Sequence, residues 1–299
     1  MTHTFIKAVA LSFLIAGPVA AQPATYATPQ DALEAFVAGL GSTEEGALLS
    51  VFGEESRDFL SDGDADEDAA NKALLLALYG EGYRMVPQED GSLVIALGAE
   101  GWPFPIPVAK TGDGWAFDTE TGRAEVQARE IGLNELEVID LLDAYVDIQA
   151  GFRLSDHDGD GVMEFARQII ATSETERDGL FWAAPDSPLG ELFARASATG
   201  FSDGEQDHDP EPYSGYYFRI LTEQTAAAPG GEMSYLLNDN MVAGHALLAV
   251  PAVYGETGVH SFMVAENGVI LQAVLGEETL DIAADMMAYD PTDDWTPVE

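Results

Sequence analysis

The sequence contains no cysteine, so neither a disulfide bond nor a lipid-modified cysteine can stabilise or anchor this chain. Basic residues are also scarce: 12 Lys and Arg stand against 53 Asp and Glu, for a net charge of −41. Nucleic acids and anionic lipid surfaces bind proteins through neutralisation by Lys and Arg. The charge balance therefore argues against both as partners, and it favours solubility in salt and attraction of divalent cations.

Beyond the N-terminal segment, no apolar run approaches the roughly 20 residues of a membrane-spanning helix. The N-terminal run at residues 8–17 is shorter, follows Lys7 and precedes the small residues Val19 and Ala21. This pattern predicts a signal peptide over residues 1–21 that is cleaved after Ala21. We therefore expect a periplasmic or extracellular protein with no membrane span after cleavage. Without disulfides, such a protein must be stabilised by its core or by bound ions.

Common catalytic signatures are missing as well. The patterns H-E-x-x-H, G-x-S-x-G, the P-loop and G-x-G-x-x-G do not occur. Four histidines follow the predicted signal peptide: His157, His208, His245 and His260. Because catalytic triads assemble from distant segments, an arrangement of His260 with Ser261 and a carboxylate stays open. We predict no particular catalytic residue and favour a protein that is not an enzyme.

The chain does contain enough apolar side chain for a core, since 46% of its residues are hydrophobic. Residues 28–31 form a helix start, and helical apolar spacing follows them and recurs at residues 48–52 and 69–80. From Tyr83 the pattern changes to short strand-like runs separated by Gly, Asp and Pro. Helices followed by such a meander are similar to cone-shaped nuclear-transport-factor-2-like folds, and this resemblance implies a ligand pocket in the first half.

The second half combines a long helix with strand-like runs. Asn134 and Glu137 form a capping pair, and the apolar spacing after them predicts one amphipathic helix over residues 135–152. Strand patterns fill residues 215–276. Further predicted elements are helices at residues 165–170, 188–196 and 280–288 and an acidic loop at residues 202–212.

These patterns predict an α+β protein of two domains. Residues 22–130 should form N-terminal helices plus a curved antiparallel meander. Residues 131–299 should form the long helix, an Asp-rich loop and an antiparallel sheet.

The Asp-rich loop is the clearest candidate site. Residues 155–168, SDHDGDGVMEFARQ, place alternating aspartates before a glycine, as in the first half of a calcium-binding loop. Alternate side chains of such a loop converge on one point, and Gly161 permits the left-handed turn. Hard oxygen ligands select calcium over transition metals. The predicted metal ligands are Asp156, Asp158, Asp160, the Val162 carbonyl and Glu164.

The loop departs from the calcium pattern at its twelfth position, where Arg167 replaces the usual bidentate Glu. Glu174, Glu176 or Asp178 could fold back to supply a carboxylate, and we expect weak binding, on the order of 10⁻⁴ to 10⁻³ M. The alternative is an Asp/Gly turn without an ion, although three crowded carboxylates would then repel one another. Calcium with a full set of oxygen ligands does not readily generate a nucleophile, so we predict a structural role.

Several stretches together resemble a bacterial family of exported proteins known as domain of unknown function 2950. They occur in order over most of residues 28–297. The resemblance implies an exported α+β protein with no known activity and no established functional residues. The stretches are GWPFPIPVAKTGDGWAFDTETGRAEV, REIGLNELEVIDLLDAYVDIQ, DHDGDGVMEFA, RDGLFWAAPDSPLGEL, YSGYYFRILTEQ, PGGEMSYLLN and VPAVYGETGVHSFMVAENGVI.

The second half also resembles the globular heads of type IV pilins and pseudopilins, on a long helix followed by GYYFRIL, ALLAVPA and FMVAENGVI. The membrane-embedded helix of pilins has no counterpart here, because residues 8–17 belong to the predicted signal peptide. What this resemblance implies is a head used for protein contact.

We therefore predict a calcium-stabilised, non-enzymatic module that binds a protein or another component of the cell envelope. The alternative is a small-molecule-binding or hydrolytic protein that uses a pocket in the first domain. A cleft that gathers His, Ser and carboxylate groups would favour an enzyme, and a broad exposed apolar patch would favour the module. The oligomeric state stays open.

Overall fold

A computed structural model describes residues 22–298 except residues 45, 62, 113, 174–175, 191–195 and 197–210. The chain divides into two units, one up to Val126 and one from Gln127 onward. Its helices and antiparallel sheets confirm the predicted α+β class. The predicted signal peptide, part of the predicted helix at residues 188–196 and most of the acidic loop at residues 202–212 lie outside the described residues.

The first unit begins with helices, and local sequence explains where the first one starts. Thr28 Oγ1 accepts a hydrogen bond from the Asp31 amide at 3.1 Å, and Asp31 Oδ2 accepts one from the Thr28 amide at 3.0 Å. This reciprocal pair of hydrogen bonds satisfies two backbone amides, those of Thr28 and Asp31, that have no acceptor within the helix. The helices are α1 (Pro29–Leu40), α2 (Ala47–Phe52), α3 (Arg57–Leu60) and α4 (Ala65–Glu81).

An antiparallel sheet follows the helices of the first unit. Its strands are β1 (Tyr83–Pro87), β2 (Leu93–Leu97), β3 (Trp102–Pro103), β4 (Val108–Thr111) and β5 (Gly114–Phe117). The spatial order is β1, β2, β4, β5, with β3 paired to β2. Val86 lies opposite Val94, and Lys110 lies opposite Trp115.

Phenylalanine rings fill the interior of the first unit. The ring centroids of Phe36 and Phe104 are 4.7 Å apart, and those of Phe52 and Phe117 are 4.8 Å apart. All four side chains are buried, together with Leu33 from α1. These rings therefore form the centre of the apolar core of the first unit.

The long helix α5 (Thr119–Phe152) begins well before the predicted start near Asn134. Asp118 Oδ1 accepts a hydrogen bond from the Thr121 amide at 3.0 Å and so caps the helix. Asn134 is an interior residue of the helix, and its Nδ2 donates to the Thr257 carbonyl at 3.0 Å. The predicted cap at Asn134 is wrong because the helix already starts at Thr119, after Asp118, and continues through the Asn134–Glu137 pattern without interruption.

The second unit is built around an antiparallel sheet of five strands: β8 (Tyr216–Leu221), β13 (Ala246–Pro251), β14 (Ser261–Ala265), β15 (Ile270–Ala273) and β16 (Thr296–Pro297). Their spatial order is β16, β15, β14, β13, β8. Every residue of β13 and β14 is buried, and Val138, Leu142 and Tyr145 of α5 belong to the same apolar core. The other strands of this unit are β6 (Gln168–Ile170), β7 (Gly179–Phe181), β9 (Glu223–Gln224), β10 (Met233–Ser234), β11 (Leu236–Leu237) and β12 (Asn240–Met241).

The helix predicted at residues 165–170 is not formed. Gln168–Ile170 is instead strand β6, which pairs in parallel with β7. The two β-branched isoleucines favour an extended backbone, and pairing with a distant strand overrides the weak helical pattern. The last helix, α6 (Thr279–Asp285), lies close to its predicted position at residues 280–288.

None of the helices within the described ranges combines the length and apolar character that a membrane-spanning segment requires.

Candidate metal centre

The Asp-rich loop begins where α5 ends. The Phe152 carbonyl accepts a hydrogen bond from His157 Nε2 at 2.9 Å, and the two rings stack with centroids 4.0 Å apart. His157 is therefore partly buried against the helix end.

A buried glutamine closes the other end of the loop. Gln149 Nε2 donates to the Ala166 carbonyl at 2.8 Å, and its Oε1 accepts a hydrogen bond from the Ala166 amide at 2.9 Å. Gln149 is fully buried. Because both the nitrogen and the oxygen of its side-chain amide are hydrogen-bonded, this residue holds the segment after the loop against the last turns of α5.

Asp156 and two glycines shape the turn itself. Asp156 Oδ1 accepts a hydrogen bond from the Gly159 amide at 2.8 Å, and its Oδ2 accepts one from the Gly161 amide at 3.0 Å. Gly159 and Gly161 have φ values of +77° and +90°, in the left-handed region that favours glycine. The sequence pattern of alternating Asp and Gly is thus matched by a tight, side-chain-supported turn.

The other two aspartates hold the turn in the same way. Asp158 Oδ1 accepts a hydrogen bond from the Asp160 amide at 3.2 Å, and Asp160 Oδ1 accepts one from the Val162 amide at 2.7 Å. One carboxylate oxygen from each of Asp156, Asp158 and Asp160 lies within 4.8 Å of the other two. All three aspartates are exposed, so the structure gathers three of the predicted ligands at the surface.

Glu164 and Val162 are placed differently. Glu164 is not part of the three-aspartate group; its Oε2 accepts a hydrogen bond from the Met241 amide at 2.7 Å. Burial raises the pKa of Glu164, and the nearby charges of Asp158 and Asp160 raise it further. Val162 has an exposed side chain, and its amide is bound to Asp160, the residue two positions earlier.

A cavity of about 320 Å³ lies beside the loop, and acidic residues of the loop and of other segments line it. Asp158, Asp160 and Glu164 line it, as do Glu176 and Asp178, two of the three residues considered as replacements for the missing twelfth ligand. The third, Glu174, lies outside the described residues. Arg167 also lines this cavity, so one positive charge is present among the carboxylates.

Sequence reasoning missed the hairpin that faces the loop. Asn238 and Asp239 have φ values of +52° and +69° and form the two-residue turn between β11 and β12. Asn240 Nδ2 donates a hydrogen bond to Asp160 Oδ2, and Asn238, Asp239 and Asn240 all line the cavity. The sequence NDN is a recognisable turn signal, but only the folded chain brings this turn to the Asp-rich loop.

Apart from His157 and Arg167, the polar side chains that line this site offer oxygen donors, as carboxylates and amide carbonyls. Such donors suit calcium and magnesium, and they do not suit the thiolate- and imidazole-preferring metals. The types of side chain present therefore suit a calcium ion. One oxygen of Glu164 is already occupied by the Met241 amide, and the positive charge of Arg167 offsets part of the carboxylate charge.

The remaining histidines show no Ser–His–carboxylate arrangement among the described residues. His260 Nδ1 contacts Glu135 Oε2 at 3.0 Å, and the same carboxylate accepts the His260 amide through Oε1 at 2.9 Å. Ser261 is buried without a hydrogen-bond partner for its hydroxyl. His245 is also buried, between Tyr145 and Phe165. His208 lies outside the described residues.

Comparison with known proteins gives one match. The sequence profile of the family described as "Protein of unknown function (DUF2950)" matches residues 23–298, which is nearly the whole chain. The chain therefore belongs to this family, as its sequence resemblance indicated. No curated protein and no solved structure matches. The similarities to pilin heads and to nuclear-transport-factor-2-like folds stay predictions.

Proposed function

We propose that this member of the DUF2950 family is an exported protein whose Asp-rich loop binds calcium, and that the ion braces a surface used for contact with other proteins of the cell envelope. The observation that carries the proposal is the group formed by Asp156, Asp158 and Asp160, with carboxylate oxygens within 4.8 Å of one another. Like charges at this spacing repel, and a divalent cation removes the repulsion.

The contacts of the loop suggest what calcium would stabilise. The Asn240 side chain bonds to Asp160, and the Met241 amide bonds to Glu164, so the loop already touches the β11–β12 hairpin. An ion held by the aspartates would order the loop and, through these two bonds, the hairpin. Its role is structural: the loop residues hold the ion, and no reaction step is assigned to it.

Exposed apolar side chains near the loop support the interaction role. Leu154, Met163 and Leu237 are 73%, 58% and 63% exposed. Leu154 directly precedes the loop, Met163 belongs to it, and Leu237 belongs to the facing hairpin. A contiguous exposed apolar patch marks a protein contact site, and we propose that these three side chains contribute to one. With the acidic residues around them, they favour a partner that presents apolar and basic side chains.

Calcium binding is tested by thermal unfolding. A ligand that binds only the native state raises the melting temperature, so calcium should do so relative to a chelator. Asp158→Asn with Asp160→Asn should abolish this shift, because asparagine keeps the turn hydrogen bonds and loses the charge. Asp293→Asn with Asp294→Asn removes two exposed charges elsewhere in the unit and should keep the shift. Equal melting curves of the unaltered protein with calcium and with chelator would refute the proposal.

Export is tested separately by mass spectrometry of the protein secreted or released from the periplasm. The expected N-terminus is Gln22. A chain that retains Met1 contradicts the export proposal and leaves the calcium proposal standing.

A further inference from the structure

A second cavity, of about 340 Å³, lies in the second unit away from the Asp-rich loop. Its walls come from the β9–β10 hairpin, the residues that enter β13 and the turn that follows β14. The volume lies at the lower end of the range of about 300 to 1,000 Å³ that is typical of small-molecule sites. No residue of the proposed calcium site lines it.

The floor of this cavity is held in place by hydrogen bonds. Gln224 Nε2 donates to the carbonyls of Pro229 and Gly231 at 3.0 and 2.6 Å, and its Oε1 accepts a hydrogen bond from the Tyr235 hydroxyl at 2.9 Å. The Tyr235 ring lies against the backbone of Gly244, where an added Cβ would come within 2.9 Å of ring carbons. The floor is therefore fixed before any ligand arrives, which lowers the entropic cost of binding.

The second tyrosine of the cavity is fixed through its backbone. The Tyr289 amide donates to the Glu223 carbonyl at 2.8 Å, and the Tyr289 carbonyl accepts a hydrogen bond from the Thr225 amide at 3.0 Å. Tyr289 is 2% exposed, as is Tyr235. Both tyrosines are thus held in the walls of the cavity.

The charge in the cavity is negative. Glu266 is the one charged residue among its described lining residues. Burial, with smaller contributions from Tyr289 and Glu266, raises the pKa of Tyr235 to about 12, so this hydroxyl stays protonated near pH 7. Tyr235, Tyr289 and Glu266 all line the cavity. Burial lowers the pKa of His245 to about 4, so this imidazole carries no positive charge near pH 7. Arg153 approaches Glu266 from outside the lining, at 3.8 Å, and is itself partly exposed.

We propose that this cavity binds a small organic cation of the primary alkylammonium class. An ammonium group offers three N–H donors and no acceptor, which complements the Glu266 carboxylate and the tyrosine oxygens. The alkyl part would lie against Met233 and Pro229, the apolar residues of the rim. A protein of net charge −41 concentrates cations in a negative cleft and repels anionic ligands.

The test is isothermal titration calorimetry of the full chain with butylamine in about 0.15 M salt, where long-range attraction is screened. Saturable binding of one butylamine per chain is expected, and butanol, which has the same alkyl chain without the charge, should not bind. Glu266→Gln should weaken binding by about tenfold, as expected for the loss of one charge-assisted hydrogen bond. Ala243→Phe should block it, because Ala243 is an exposed residue that lines the cavity.

Glu256→Gln is the matched control, since it removes one exposed carboxylate of the same unit that does not line the cavity. It should bind butylamine as the unaltered protein does. Absence of saturable heat, equal weakening by Glu266→Gln and Glu256→Gln, or full binding by a folded Ala243→Phe variant would each overturn the proposal. The measurement is made with chelator present, so that failure of calcium binding does not affect the result.

Discussion

The two units differ in what their interiors contain. In the first unit the buried core is a set of aliphatic side chains and phenylalanine rings, and Ser56 and Ser92 are the buried polar residues among those that the structure describes. The second unit buries larger polar groups, among them Gln149, Arg219 and His245. An apolar core depends mainly on volume and packing, whereas each buried polar group needs a particular partner in a particular place.

Two of the buried polar groups hold segments that belong to the candidate sites. Gln149 holds the segment that follows the Asp-rich loop, and Gln224 holds the floor of the second cavity. Arg219 donates to the carbonyls of Ala283 and Ala284 at 2.9 and 3.2 Å, where α6 ends. The second unit therefore uses buried polar side chains to hold the segment after the Asp-rich loop, the floor of the second cavity and the end of α6. Among the described residues of the first unit, no buried polar side chain larger than serine plays such a part.

The largest expected effect is in the apolar interior. Phe36→Ala should lower the free energy of unfolding by about 4 kcal/mol, because a buried ring in contact with three others is replaced by a cavity. Hydrogen exchange should show lost protection in α1 and β2 with little change in β13. A loss below about 1 kcal/mol would mean that this core repacks freely.

Replacement of the buried arginine should be nearly as costly. Arg219→Met keeps much of the volume but leaves the carbonyls at the end of α6 without their donor, at a cost of about 3 kcal/mol. The same substitution at Arg57, an exposed residue of the first unit paired with Glu54, should cost less than about 0.5 kcal/mol. Urea denaturation measures both, and similar losses would remove the contrast between the interiors.

The buried histidine should make the second unit sensitive to acid. Burial holds the pKa of His245 at about 4, below the value of 6.5 for the unfolded chain. The unfolded chain therefore binds the proton first, and the stability present above pH 6.5 is lost as pH falls through 6.5 toward 4, by up to about 3 kcal/mol.

His245→Phe isolates this contribution. The rings of Tyr145 and Phe165 already surround the site, so an aromatic side chain suits it. The difference in unfolding free energy between the variant and the unaltered protein should move in favour of the variant as pH falls from 7 to 4. Carboxylates titrate in both proteins and cancel in this difference. A difference that stays constant over this pH range would contradict the assignment.

A smaller effect is expected at the helix cap of the first unit. Thr28→Ala removes the hydrogen bond to the Asp31 amide and should cost about 1 kcal/mol, while Thr28→Ser should restore most of it. Thermal unfolding of the two variants measures this. A Ser variant as unstable as the Ala variant would show that the methyl group, and not the cap, matters.

Much of the fold could be predicted where the signal is local. The Thr28–Asp31 cap, the strands after Tyr83 and the glycines of the Asp-rich loop all depend on residues close in sequence. The start of α5 and the strand at Gln168–Ile170 could not be predicted, because one depends on continuity of a helix across a weak apolar pattern and the other on pairing with β7.

Composition and short-range patterns are enough to establish the absence of disulfides, the acidic charge and the turn of the Asp-rich loop, and the order of motifs along the chain indicates the α+β class and the family. Which distant groups meet follows from the fold: Asn240 with Asp160, Gln149 with Ala166, and Glu266 in one cavity with Tyr235 and Tyr289. A contact such as that between Asp160 and Asn240, 80 positions apart, depends on the packing of the whole unit, which no local pattern encodes.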